Sequence, residues 1–137
     1  MDKQAKIYQL LPHLGPSGTE RIPSRGSESL GAHIEGPFLS PTKAGIHAPA
    51  VLQKADKGFS SLEACYGASN LSNAALITAA PEQIGMGTIP EITTRGIVYS
   101  IGHTEATFEE ASEAVEKGAT MITHLFNAMR PLHHRNP

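Results

Sequence analysis

Four short apolar segments, at 30–35, 75–80, 96–101 and 119–124, follow a Gly-, Pro- and Ser-rich stretch at 12–29 that reads as a loop. The segments carry no tight hairpin signals between them, so each predicts a strand joined to the next by a longer connection. Between the last two, the pattern changes to a helical one. Thr107 and Glu110 form an S/T-x-x-E capping box, Phe108, Ala111 and Val115 fall on one face, and Glu109, Glu110, Glu113 and Glu116 fall on the other. Glu113 and Lys117 make a favourable i,i+4 pair, and Gly118 suits the position after the C-cap. Strand, helix and strand in this order predict a βαβ unit with parallel neighbouring strands.

Other helical signals are shorter. Ile7, Leu10 and Leu11 predict a helix over 4–11, and the apolar positions around 62–66 predict another. A third begins near Pro90, with Thr88 and Glu91 as a second capping box and Gly96 as its stop. Alternating strands and helices predict an α/β fold with a parallel sheet. A chain of 137 residues is expected to form one domain, and falls short of the roughly 200 that a complete (β/α)8 barrel needs.

Composition narrows the function class. Apolar residues make up 39% and no run is long enough to span a membrane. The first six residues carry no signal-peptide pattern, and a net charge of -2 with scattered Lys and Arg argues against nucleic-acid or membrane-surface binding. Cys65 is the only cysteine, which excludes an intrachain disulfide and a cysteine metal cluster. The expectation is a soluble, cytoplasmic chain. Seven histidines stand out at this length.

Their placement decides the candidate chemistry. Glu35 closes the first predicted strand, Glu82 follows the second, His103 the third, and His124 closes the fourth. In parallel α/β folds the C-terminal strand ends share one rim, where sites are built. His103 and His124 then lie at adjacent strand ends, and a curved sheet would bring Glu35 to them. Two His and one Glu are a ligand set for zinc or a similar divalent ion. The competing interpretation is a pair of core histidines with a solvent-facing Glu. His33 shares strand parity with Glu35, and a structural role beside the site fits it better than ligation. From position alone His47 is a loop residue, Glu82 a cap, and His13, His133 and His134 are surface groups. Arg135, in a loop past His124, offers a donor fork for an anion, and Asn127 and Ala128 could hold hydroxyls.

At these positions the local sequences resemble the N-acetylglucosamine-6-phosphate deacetylases of the amidohydrolase superfamily, in the wording of the animal-type enzymes. The motifs are 31–38, including Glu35-Gly36-Pro37-Phe38, then Lys43-Ala44-Gly45-Ile46-His47, then Gly102-His103-Thr104-Glu105-Ala106-Thr107, and finally Thr123-His124-Leu125-Phe126-Asn127-Ala128-Met129. The resemblance implies metal ligation by Glu35, His103 and His124, with zinc as the expected ion. It implies substrate contacts from Ile46 and His47, although the family more often has Ala or Thr at the first. It implies contacts to the sugar from Asn127 and Ala128, and to the 6-phosphate from Arg135. The implied reaction is hydrolysis of the N-acetyl group to glucosamine 6-phosphate and acetate.

The resemblance covers only a middle portion of the family's length. It implies part of a (β/α)8 TIM-like barrel, with 1–137 a single partial catalytic-barrel domain, and with the remaining barrel units and a small β-domain absent. The family's general-base Asp is expected beyond Pro137, so no catalytic residue is assigned here. Asp2 and Asp56 are the only two in the chain, and neither follows a predicted strand. The chain therefore reads as a fragment, a truncated isoform or a partial gene model. Alone, it is expected neither to fold stably nor to catalyse, with an edge-to-edge homodimer as its escape. The alternatives are a non-catalytic sugar-phosphate or metal-binding protein, and a metal-dependent amidohydrolase with another substrate.

Overall fold

The computed structural model describes residues 3–17, 24 and 26–135. Four strands, β1 (Ala32–Glu35), β2 (Ala74–Ala79), β3 (Val98–Ile101) and β4 (Met121–Ile122), form one sheet in the order β1-β2-β3-β4. All three pairings are parallel. Helices α1 (Lys3–Leu10), α2 (Phe59–Tyr66), α3 (Pro81–Ile84), α4 (Thr88–Thr93) and α5 (Phe108–Glu116) precede and connect the strands. Each predicted strand segment overlaps a strand, but the last shrinks to two residues, and His124 just beyond it takes φ +58°, which ends extended backbone.

Strand alternation divides the sheet chemically. Ile34, Ile77 and Tyr99 share one cross-strand row, face the helices and are buried. They pack in a core with Leu62, Tyr66, Ile84, Ile89, Ile92 and Ala114. Each such burial contributes roughly 1.5–3 kcal/mol, which makes this layer the main source of stability. The neighbouring row, Glu35, Thr78 and Ser100, points to the opposite face and is polar.

Helix chemistry follows the pattern in part. Both halves of the Thr107–Glu110 capping box form, and Gly118 adopts φ +117° just past the helix, where a side chain would be strained. The predicted apolar face of α5 is not its packed face. Phe108 is 75% exposed and Val115 57%, while Ala114 is buried. Phe108 and Ala111 instead border a groove of about 590 Å³ with Ile122, Leu125, Phe126 and Leu132, because no described element lies beyond β4. The second predicted capping box is absent. Thr88 is already within α4, and its hydroxyl donates to the Ile84 carbonyl at 2.7 Å. No described helix is long and apolar enough to cross a membrane.

Among the described residues, β1 and β4 each pair on one side only, and both edges expose backbone groups. Residues 1–137 alone are expected to bind a hydrophobic dye through the β4-side groove and to associate as concentration rises. Dye fluorescence and analytical ultracentrifugation check this. A dye-silent monomer with one sharp melting transition contradicts it.

Candidate metal centre

Glu35 is the last residue of β1, whereas His103 and His124 each stand two residues past the ends of β3 and β4. Three strand spacings of about 4.8 Å would separate β1 from β4 by ~14 Å in a flat sheet. Yet Glu35 Oε1 lies 2.8 Å from His103 Nε2 and 3.0 Å from His124 Nε2. The sheet must therefore curl about its polar face, so that residues from both edges meet above it. One ligand-type atom from each of the three residues lies within 4.8 Å of the other two, a possible metal-binding triad.

The backbone and the neighbours hold this geometry. His103 and His124 have φ +51° and +58°, a left-handed conformation that costs a non-glycine residue energy and concentrates at functional positions. His103 is buried, and its Nδ1–H donates to the Lys43 carbonyl at 2.7 Å. That bond fixes the tautomer and leaves the Nε2 lone pair facing the Glu35 oxygen, an arrangement that only a shared proton or a cation reconciles. The donor set thus fits a divalent ion. Partial burial pushes the Glu35 carboxyl up, but hydrogen bonds and charge from His103 and His124 outweigh it and hold the group below its usual range.

Carboxylates also fasten the loops around the triad. Glu82, at the start of α3, accepts from the Thr104 hydroxyl at 2.5 Å and from the Glu105 N–H at 2.8 Å. Glu105 in turn meets Lys43 at 3.2 Å and Arg130 at 3.6 Å and accepts from Thr42, joining three loops. Slight burial raises the Glu105 carboxyl, and the Lys43 and Thr42 bonds with the nearby cations bring it below its usual range. Glu82 is thus a clamp between loops rather than the cap its position suggested, because the Thr104–Glu105 turn lies within its reach and α3 takes no side-chain cap from it.

The other sequence candidates are less convergent. His47 lies edge-on to His103, ring centres 5.1 Å apart, with its Nδ1–H donated to the Ala44 carbonyl at 2.9 Å. Ile46 is 100% exposed. The Asn127 N–H donates to the His124 carbonyl, and the Ala128 carbonyl accepts from the Thr104 N–H. Arg135 is exposed, its N–H directed to His133 Nδ1 at 3.3 Å. His33 points to the polar face, as its parity implied, and pairs with Thr78 at 2.7 Å. Sequence reasoning passed over Thr78, Ser100 and Thr123, whose hydroxyls line that face. Their parity with Glu35 along the strands was the available signal.

No protein-family model matches the chain. Similar proteins are nevertheless well defined. A Danio rerio N-acetylglucosamine-6-phosphate deacetylase is 47% identical over 114 residues, which cover 82% of this chain and 28% of that protein. The Homo sapiens enzyme of the same name is also 47% identical, over 82% of this chain and 27% of its own. The solved structure of the Mycobacterium smegmatis N-acetyl-D-glucosamine-6-phosphate deacetylase aligns with a TM-score of 0.74 at 31% identity, covering 98% of this chain and 32% of that one. In sequence and in fold, the chain is similar to one segment of these deacetylases. It spans less than a third of the length of the relatives it matches. The four parallel strands with helices between them match the deacetylase structures, and among the described residues they form an open sheet rather than a closed barrel.

In the natural polypeptide that carries this chain, replacing Glu82 with Ala should leave the Thr104 hydroxyl and the Glu105 N–H without their carboxylate. The expected loss is about 1–3 kcal/mol of unfolding free energy, read by urea denaturation. An unchanged midpoint contradicts the clamp.

Proposed function

We propose that residues 1–137 supply the metal-holding portion of an N-acetylglucosamine-6-phosphate deacetylase, as one part of a catalytic (β/α)8 barrel domain in a cytoplasmic enzyme. The observation that carries this reading is the convergence of Glu35, His103 and His124 from three strand ends, in a segment similar to enzymes of that name. Glu35 Oε1 and the two Nε2 atoms would hold the ion, and zinc suits two imidazoles and a carboxylate. When bound, a divalent ion supplies Lewis acidity toward an amide carbonyl and makes water acidic enough to attack at neutral pH.

The chain's own groups orient and bind. The Lys43 carbonyl holds the His103 imidazole in the tautomer that presents Nε2. His47, fixed by Ala44, presents its remaining nitrogen as a substrate contact, with Ile46 beside it. Asn127 and Ala128 flank His124 and Thr104 and would meet the sugar. Arg135 would meet the phosphate with its donor fork, and its present exposure leaves it free to do so.

A second reading applies to residues 1–137 in isolation. Asp56 is exposed and is not part of the triad cluster, so no aspartate within reach is assigned as proton-transfer base. In isolation these residues would bind metal and sugar phosphate without efficient turnover, and the open edges would favour a homodimer. With zinc added, acetate release from N-acetylglucosamine 6-phosphate is expected to fall about 10²–10⁴-fold below that of an enzyme with its base. Turnover near that of a complete enzyme contradicts this.

Two substitutions test the site. In the natural polypeptide that carries this chain, the double variant His103→Ala/His124→Ala should lose most of its bound metal by elemental analysis. Undiminished metal would sink the ligand assignment. Arg135→Ala should weaken binding of the 6-phosphate sugar by ~2–3 kcal/mol while leaving the unphosphorylated sugar unaffected, by calorimetry. Equal effects on both sugars contradict the phosphate role.

A further inference from the structure

Beneath the triad, the polar face of the sheet carries a continuous line of side-chain hydrogen bonds. His33 Nε2 lies 2.7 Å from Thr78 Oγ1, Thr78 Oγ1 lies 2.8 Å from Thr123 Oγ1, and Thr123 Oγ1 lies 2.7 Å from Ser100 Oγ. The line joins β1, β2, β3 and the residue that follows β4. Each hydroxyl has one proton and two acceptor sites, so Thr123, bonded to both Thr78 and Ser100, accepts from at least one of them. Thr78 and Ser100 are wholly buried, so their hydroxyls depend on these partners.

The contact between Thr78 and Thr123 also depends on Gly102. A Cβ at that position would sit 2.7 Å from Thr78 Cγ2 and 3.0 Å from Thr123 Cβ, so any side chain there would push the two threonines apart.

Every residue in the line stands close to a triad member. His33 is two positions before Glu35, and Thr78 is the register partner of Glu35 on β2. Ser100 is three before His103, and Thr123 directly precedes His124. His103 and His124 both hold left-handed backbone, which persists only where the surroundings enforce it. At Thr123 two anchors are visible. Its N–H donates to the Ile101 carbonyl at 2.8 Å, and its hydroxyl joins the line.

We propose that Thr123 is a positioning residue for the metal centre. Through its hydroxyl bonds to Thr78 and Ser100, it sets the backbone that aims His124 Nε2 at the Glu35 oxygen that also meets His103 Nε2. Metal affinity and ligand geometry then depend on a hydroxyl that touches no ligand atom. The inference rests on the triad binding metal. A purely structural node would behave otherwise, lowering the melting temperature on removal while leaving affinity and coordination as they were.

The test uses the natural polypeptide that carries residues 1–137. Thr123→Val keeps the shape and removes the hydroxyl, and Thr123→Ser keeps the hydroxyl. Zinc affinity is read by chelator competition at a temperature where circular dichroism shows each variant folded. Ligand geometry is read from the visible spectrum of the cobalt-loaded protein. Thr123→Val should weaken zinc binding about 10–100-fold and alter the cobalt spectrum, and Thr123→Ser should restore both. Parental affinity and spectrum in Thr123→Val overturn the proposal, whatever its melting temperature. If that variant does not fold, Ser100→Ala removes one link and should weaken zinc binding in the same direction, and unchanged affinity there overturns the proposal equally. His124→Ala separates the two readings. If it retains metal, the triad itself is wrong; if it loses metal while Thr123→Val keeps it, only the positioning role is wrong.

Discussion

A single carboxylate oxygen, Glu35 Oε1, meets imidazole nitrogens from the far side of the sheet, and the rest of the architecture is arranged to make that meeting possible. The residues come from the first strand and from beyond the third and fourth, so a flat sheet would hold them apart. Right-handed twist and curvature are intrinsic to parallel strands, and helices packed on one side favour a sheet that curls away from them. The apolar row Ile34, Ile77 and Tyr99 anchors those helices, and the polar row, with Glu35 at one end, lies on the concave side.

The two faces divide stability and function between them. Burial on the helix side offsets local costs on the other, among them left-handed backbone at His103 and His124 and polar groups that must be satisfied in place. Every fully buried side-chain nitrogen or oxygen among the described residues has a partner. The loops above the rim are fastened in the same manner, by Glu82 and Glu105 rather than by apolar packing. Such fastening keeps the loops that carry the triad in place.

Much of this was legible in the chain itself. The four strands, the parallel order and the Thr107–Glu110 cap follow from local patterns whose physical causes are local. The rim placement of Glu35, His103 and His124 was legible because strand ends can be counted. Tertiary partners were not. Phe108 and Val115 have helical spacing, but spacing does not say whether anything will cover them, and here Ala114 makes the packed contact. Thr88 could have capped α4, but a nearby carbonyl at Ile84 captured its hydroxyl instead. The hydroxyl line was invisible for a related reason. Thr78, Ser100 and Thr123 are ordinary strand residues until the register places them side by side.

The proposal that three strand ends hold one ion is most directly tested by zinc-edge X-ray absorption on the zinc-loaded natural polypeptide. Two imidazoles and a carboxylate should give a nitrogen and oxygen shell at about 2.0–2.2 Å, with outer-shell scattering from two histidines and no sulfur. A sulfur shell, or a shell without imidazole scattering, would contradict the assignment of Glu35, His103 and His124.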